Sequence, residues 1–285
     1  SILFENNDLP GIMLSKSMRH YCNRWGVIPG QHISIYTNNE DGWETAKDLK
    51  EAGCNVICII DQRPDINPPI KNIDYVLGRK IAKAYGNLRI SSIKLDNGRI
   101  IKTDCLAVSG GFNPNLHLTC HQRGRPKWNE LNHCFTPNNP PKNMSVIGAA
   151  NGVFNYQDIF KDSKIKLTKI LQNLGHKKVS IEEVKISNRV YKVSPFPKNI
   201  PEGKVWVDLQ NDVTVKDIKL AVHEGFHSVE LLKRYTTLGM ATDQGKNSNV
   251  LGLSILSVIK NKPMDEVGTT IFRPPFTPVP IGAFA

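Results

Sequence analysis

The strongest constraint on this 285-residue chain lies between residues 32 and 61. His32-Ile33-Ser34-Ile35-Tyr36 reads as a short strand, 43–52 as a helix closed by Gly53, and 55–60 as a second strand ended by Asp61. A strand covered on both faces reads as an unbroken apolar run, and Val56-Ile57-Cys58-Ile59-Ile60 is such a run. Strand, helix, strand is a βαβ unit, which returns by a right-handed crossover and builds a parallel sheet. That excludes an all-helical or purely antiparallel fold for the first half.

A βαβ unit that binds a dinucleotide carries G-x-G-x-x-G in its first turn, where bare backbone approaches the pyrophosphate. Here the turn is Thr37-Asn38-Asn39-Glu40-Asp41-Gly42, which keeps only the last glycine. Side chains at 37–39 would crowd a pyrophosphate, and Glu40 with Asp41 would repel it. Asp61 stands where an acid takes the adenosine ribose. The expectation is a retained scaffold with a damaged cradle, in which Asn38, Gly42 and Asp61 are the residues a nucleotide would meet. Two further glycine turns follow apolar stretches. One is 105–108 running into Ser109-Gly110-Gly111, and the other is 144–147, read as a buried strand, running into Gly148-Ala149-Ala150-Asn151-Gly152. In flavoproteins with two dinucleotide domains such turns close over the other nucleotide. Gly110, Gly111, Gly148 and Asn151 are therefore candidate cofactor contacts, beside the plainer reading that glycines end strands.

Elsewhere the periodicity predicts a helix over 15–25 with Met18, Tyr21, Cys22 and Trp25 on one face. Residues 64–69 read as a loop. A hairpin spans 88–103, with Asn97-Gly98 as a primed turn. Residues 112–143 show no periodicity. A helix covers 156–174, and Pro195, Pro197 and Pro201 mark a linker. Thr214-x-x-Asp217 is a capping box opening a helix with Val215, Ile218 and Val222 on one face. Gly225 ends that helix, Ser228 caps the next, and 250–259 is apolar on nearly all sides, as a buried helix would be. The expected organisation is a nucleotide-type region over 1–178, a linker over 179–203, a helical module over 204–262, and an extended lead over 263–285.

Net charge is +11, which raises nucleic acid as a partner. The basic residues are spread out, however, and the densest stretch, 161–178, alternates with Ile and Leu as a solvated helix face does. The reading is no nucleic acid, and a basic surface suited to an acidic partner subunit. No apolar run approaches the ~20 residues of a membrane span, so the expectation is a cytoplasmic chain with no membrane role. The first residue is Ser rather than Met, as in a fragment. The six cysteines form no C-x-x-C pair and read as unpaired thiols in a reducing compartment. His223-Glu224-Gly225-Phe226-His227 matches H-E-x-x-H in letters. A zinc site needs both histidines on one continuous helix, and Gly225 falls between them, so no zinc is expected.

The most specific string is Lys233-Arg234-Tyr235-Thr236-Thr237-Leu238-Gly239-Met240-Ala241-Thr242-Asp243-Gln244-Gly245-Lys246. Two glycines, cations and hydroxyls at a helix end suit a phosphate. They suit an ordinary polar connection equally well.

This string, with Val207-Asp208-Leu209-Gln210-Asn211-Asp212-Val213-Thr214, Glu266-Val267-Gly268-Thr269-Thr270 and Phe272-Arg273-Pro274-Pro275, resembles the alpha subunits of heterotetrameric sarcosine oxidases. Leu3-Phe4-Glu5-Asn6-Asn7-Asp8-Leu9-Pro10-Gly11, Thr37-Asn38-Asn39, Ser109-Gly110-Gly111-Phe112-Asn113-Pro114 and Gly148-Ala149-Ala150-Asn151-Gly152 extend the resemblance to the front. It implies an α/β fold, with a parallel-sheet region like a two-dinucleotide-binding-domain reductase followed by a small all-helical domain. It also implies oxidative demethylation of sarcosine to glycine, with the one-carbon unit passed to tetrahydrofolate and electrons to oxygen. NAD would lie in the alpha subunit, FAD in the beta subunit and FMN at their interface, with gamma and delta subunits completing the assembly. This chain would be the middle of the subunit, without the preceding intact fingerprint or the following folate domain, and would supply no acid, base or nucleophile.

The helical part further resembles ferredoxin modules of the bacterioferritin-associated type. Ala241, Thr242, Asp243 and Val207-Asp208-Leu209 fill its ligand segments, so no iron–sulfur cluster can form without thiolates. Arg234, Thr236, Thr237, Gly239, Gln244 and Lys246 are the residues expected to face FMN. The alternatives are a subunit of another amine or amino-acid dehydrogenase complex, and an interaction module with no ligand.

Overall fold

The βαβ unit stands at the centre of a five-stranded parallel sheet. In the computed structural model, which describes residues 1–121, 124–176, 191–194, 199–270 and 279–284, the chain enters with β1 (Ile12–Leu14) and α1 (Ser15–Trp25). It continues through β2 (Ile33–Thr37), α2 (Glu40–Glu51), β3 (Val56–Asp61) and β4 (Asp74–Leu77). A three-stranded antiparallel sheet follows, β5 (Ile81–Gly86), β6 (Ile90–Leu95) and β7 (Ile100–Lys102), before β8 (Cys105–Ser109) returns to the parallel sheet. The parallel order is β1-β8-β2-β3-β4. Every residue of β2 and β8 is buried because both faces are covered.

One face packs Ile33, Ile35, Ile59 and Ala107 against Met18 of α1 and Trp43, Ala46 and Leu49 of α2. The other packs Tyr36, Ile60, Leu106 and Val108 against Ala84, Ile90, Ile93 and Leu95 of the antiparallel sheet and against Phe4. Each such aliphatic side chain contributes about 1.5–3 kcal/mol through the water it sheds.

Three local expectations are corrected here. On α1 Met18 is buried, but Tyr21 and Trp25 are 49% and 60% exposed, so the apolar face is narrower than its spacing implies. The 96–98 turn is not a primed one. Gly98 N donates to Leu95 O, Leu95 N donates to Arg99 O, and only Gly98 takes a positive φ, as in a type I turn followed by a left-handed glycine. Residues 144–147 form no strand and are half-buried or exposed. The carbonyl of Val146 accepts from Lys166 Nζ at 2.8 Å, a side-chain partner in place of a ladder.

Two compact units divide the chain, Ser1–Gly111 with Val193–Thr270, and Phe112–Lys192 with Ile271–Ala285. The second holds α3 (His117–Cys120), the hairpin β9 (Lys127–Asn129) and β10 (Cys134–Thr136), and α4 (Tyr156–Asn173). The first two lie in the stretch without periodicity. They are short, and Trp128 against Phe135, edge-on at 5.0 Å, supplies a packing that no repeat in sequence announces.

In the first unit, residues 204–270 form β11 (Trp206–Asp208), β12 (Val213–Thr214), α5 (Val215–His223), α6 (Val229–Thr236), α7 (Asn249–Lys260) and α8 (Met264–Val267). The capping box is present. Asp217 N donates to Thr214 Oγ1, and Thr214 N donates to Asp217 Oδ2 at 2.7 Å. Ala221 rather than Val222 completes the buried face of α5. Ser228 caps α6 through Leu231 N, and α7 is buried from Leu251 to Leu256. This part is tied to the start of the chain by Asn7, whose amide donates to Trp206 O and accepts from Trp206 N, each at 2.8 Å. Pro195, Pro197 and the lead at 272–278 lie outside the described residues.

Candidate functional site

In an open parallel sheet the ligand crevice opens at the carboxyl ends of the strands where the order reverses. Here that is between β2 and β8, beside the β2–α2 turn. The crevice is filled by the chain's own polar groups. Asn39, wholly buried, donates from Nδ2 to Ser109 O and to Asn38 Oδ1, and accepts at Oδ1 from Asp41 N and Ser109 Oγ. Asn38 accepts from Ser194 N at 2.9 Å and donates to Ser194 O, and Asn39 forms an antiparallel bridge with Val193. Residues 193–194 thus lie along the turn where a pyrophosphate would run. Asp41, in the first turn of α2, takes Ser15 Oγ, Ser109 Oγ and Arg19 on its carboxylate. The positive end of the helix already holds a carboxylate.

Gly42 faces inward as well, since a Cβ there would lie 2.3 Å from Cβ of Thr37. This is the close helix-to-strand packing that the last glycine of the fingerprint provides. Asp61 is fully buried, and its carboxylate accepts from Trp43 Nε1 at 2.8 Å and from Arg63 through its backbone N, Nε and guanidinium. Burial lowers the pKa of Arg63, but Asp61 and Glu40 outweigh it and leave the guanidinium raised. Asn38, Gly42 and Asp61 are all committed to internal contacts, and the β2–α2 turn does not fit a dinucleotide pyrophosphate.

The loop between α6 and α7 is likewise packed from within. Gly239 and Gly245, at φ +68° and +73°, leave the room in which Asn249 sits, and a Cβ on either would lie 2.1 Å from Asn249 Oδ1. Asp208 accepts from Gly239 N at 2.8 Å, Gln210 N at 3.0 Å and Ser248 Oγ at 3.3 Å. One buried carboxylate therefore joins β11 to the α6–α7 loop. Thr236 Oγ1 donates to Leu232 O, and Gln244 Nε2 donates to Ala241 O. Arg234, Thr237 and Lys246 are exposed. The glycine pair thus does not fit a phosphate, and of the six nominated residues these three are on the surface.

A cavity of about 210 Å³ lies in this unit, lined by Met13, Val108, Trp206, Asp208, Asp243 and Ser248 among others. Two carboxylates and no cation line it among the described residues, which suits no anion.

Gly110 abuts the backbone of Ser1 and Gly111 takes φ +94°. In the second unit Gly148 opens a short 3-10 turn over Gly148–Asn151, its N–H donating to Asp162 Oδ2 at 3.2 Å. His223 is the last residue of α5, Gly225 has φ +93°, and His227 precedes α6, so the histidines of the H-E-x-x-H string share no helix. No helix among the described residues is long and apolar enough to cross a membrane. What spacing could not reveal is the plug itself, since Asn39 meets Ser109 and Asn38 meets Ser194 across 70 and 156 residues. The Asn-Asn pair before a helix was the available signal, as asparagine is a preferred N-cap.

Residues 202–285 match the family model described as the Sarcosine oxidase A3 domain. Along 99% of its length the chain is 38% identical to the sarcosine oxidase subunit alpha of Rhizobium meliloti (strain 1021), covering 29% of that protein. It is 31% identical over its full length to the subunit of the same name from Corynebacterium sp. (strain U-96), covering 32% of it. The chain thus spans about a third of the length of these relatives. Its fold is similar to that of L-proline dehydrogenase from P. horikoshii, with a TM-score of 0.75 at 20% identity over all of this chain and 56% of that one. Matched along its whole length, with the A3 match over residues 202–285, the chain is a homologue of sarcosine oxidase alpha subunits.

Proposed function

We propose that this chain is the part of a sarcosine oxidase alpha subunit that holds cofactors and partner subunits in place and supplies no catalytic group. The observation that carries this reading is the whole-length similarity to proteins named as that subunit. The complex would oxidatively demethylate sarcosine to glycine in the cytoplasm, passing the one-carbon unit to tetrahydrofolate and electrons to oxygen. The beta, gamma and delta subunits would complete it. NAD would be held by protein outside these residues, because the β2–α2 turn is filled from within. The turn at Gly110 and Gly111 and, separately, the turn at Gly148 and Asn151 are the candidate contacts of this chain with a nucleotide. FMN would lie against the exposed side of the α6–α7 loop, with Arg234, Thr237 and Lys246 towards it and a beta subunit behind. The spread of positive charge supports an acidic partner surface rather than a single polyanion site.

The complex purified through this subunit tests the reading. Anaerobic addition of sarcosine is expected to bleach the flavin absorbance, and Lys246→Glu is expected to lower FMN content while sparing FAD. A spectrum that answers to proline or another amine and not to sarcosine would support a different dehydrogenase complex. Unchanged FMN in the variant would remove the loop from the cofactor site.

A further inference from the structure

We propose that Cys22 and Cys54 are a peroxide-oxidisable dithiol that closes to a disulfide between α1 and the turn after α2. Their sulfurs lie 3.6 Å apart although 32 positions separate them in sequence. A disulfide needs about 2.05 Å between sulfurs, so closure brings them together by about 1.5 Å. The turn can give. Gly53, beside Cys54, has φ +83° and open space around its Cα. The other four cysteines are buried singly, Cys58 in β3, Cys105 in β8, Cys120 in α3 and Cys134 in β10.

The two thiols differ in access. Cys22 is half-buried near the end of α1, whereas Cys54 is buried at 6% exposure. Burial, with a smaller part from Cys22 itself, pushes the Cys54 thiol up to about 11. Cys22 is therefore the sulfur that meets the oxidant, and Cys54 the one that resolves it. The Cys22 thiolate attacks hydrogen peroxide, an S–O bond forms, the O–O bond breaks and hydroxide leaves, giving a sulfenic acid. Cys54 sulfur then attacks the sulfenic sulfur, the S–S bond forms, the S–O bond breaks, and the oxygen leaves as water with the Cys54 proton. Two thiols lose two hydrogens, and one peroxide becomes two waters. An oxidase that passes electrons to oxygen would release peroxide and so supply the oxidant. That source rests on the function proposed above, but the chemistry of the pair does not.

The test uses the full subunit in its complex, treated with hydrogen peroxide in the absence of amine substrate, then alkylated and digested. The expected result is a peptide pair joined through Cys22 and Cys54, with a loss of about 2 Da that dithiothreitol reverses. In Cys54→Ser a dimedone adduct should accumulate on Cys22, and in Cys22→Ser Cys54 should stay reduced. A wild-type complex in which both thiols alkylate fully after peroxide, or in which Cys22 pairs with another cysteine, overturns the proposal. The wild-type mapping decides it even if a variant fails to fold. In a second arm, turnover with sarcosine replaces added peroxide, with and without catalase. Linkage by added peroxide but not by turnover would count against the oxidase reading and leave the dithiol supported.

Discussion

Replacing Asp61 with alanine is expected to lower folding stability by about 3–5 kcal/mol, read as a fall in the urea midpoint at unchanged slope. The size follows from what remains. Arg63 is only 8% exposed, and without Asp61 its guanidinium keeps Glu40 as its anionic partner among the described residues. Trp43 Nε1 loses its acceptor in the core, a further penalty for a buried donor. Asp61→Asn retains an acceptor for Trp43 and loses the charge, so it should fall between the two. Tryptophan fluorescence reports the change directly, since Trp43 is buried against Asp61. Were Asp61 chiefly a ribose contact, the alanine variant would hold its midpoint and lose nucleotide affinity instead.

Replacing Asp208 with alanine is expected to cost about 3 kcal/mol, because the N–H groups of Gly239 and Gln210 and the hydroxyl of Ser248 lose their acceptor together. Loss of the one carboxylate that joins β11 to the α6–α7 loop should loosen that loop first. The early signs are faster amide exchange over 237–248 and a proteolytic cut there, with the parallel sheet still protected. Asp208→Asn, which keeps one acceptor, should recover part of the loss. Equal exchange in the sheet and the loop would mean that the staple is not local.

The sheet was legible because β2, β3 and β8 are nearly unbroken apolar runs, and burial on both faces leaves that mark. The caps at Thr214 and Ser228 were legible for the same local reason, that a hydroxyl three residues before an N–H is written in adjacent letters. Strands β1, β4, β9 and β12 are two to four residues long and have no period to detect. The run at 144–147 misled because apolar composition alone does not supply a neighbouring strand. At the candidate site, the missing glycines at 37 and 39 foretold that the cradle would be poor. That Ser109 and Ser194 fill it depends on contacts between distant segments, whereas Arg63 takes Asp61 from two positions away. The glycines of the α6–α7 loop look alike in sequence whether they face a phosphate or a side chain. Asn249 decides it, and only the fold brings it there.

The parallel-sheet crevice of this chain is closed by its own residues, so a nucleotide in the full subunit is expected elsewhere. Hydrogen–deuterium exchange on the purified complex, stripped of NAD and then reloaded, tests it most directly. Reloading is expected to leave exchange over 37–42 and 56–63 unchanged while protecting amides outside these segments. Protection of the β2–α2 turn by NAD would contradict it.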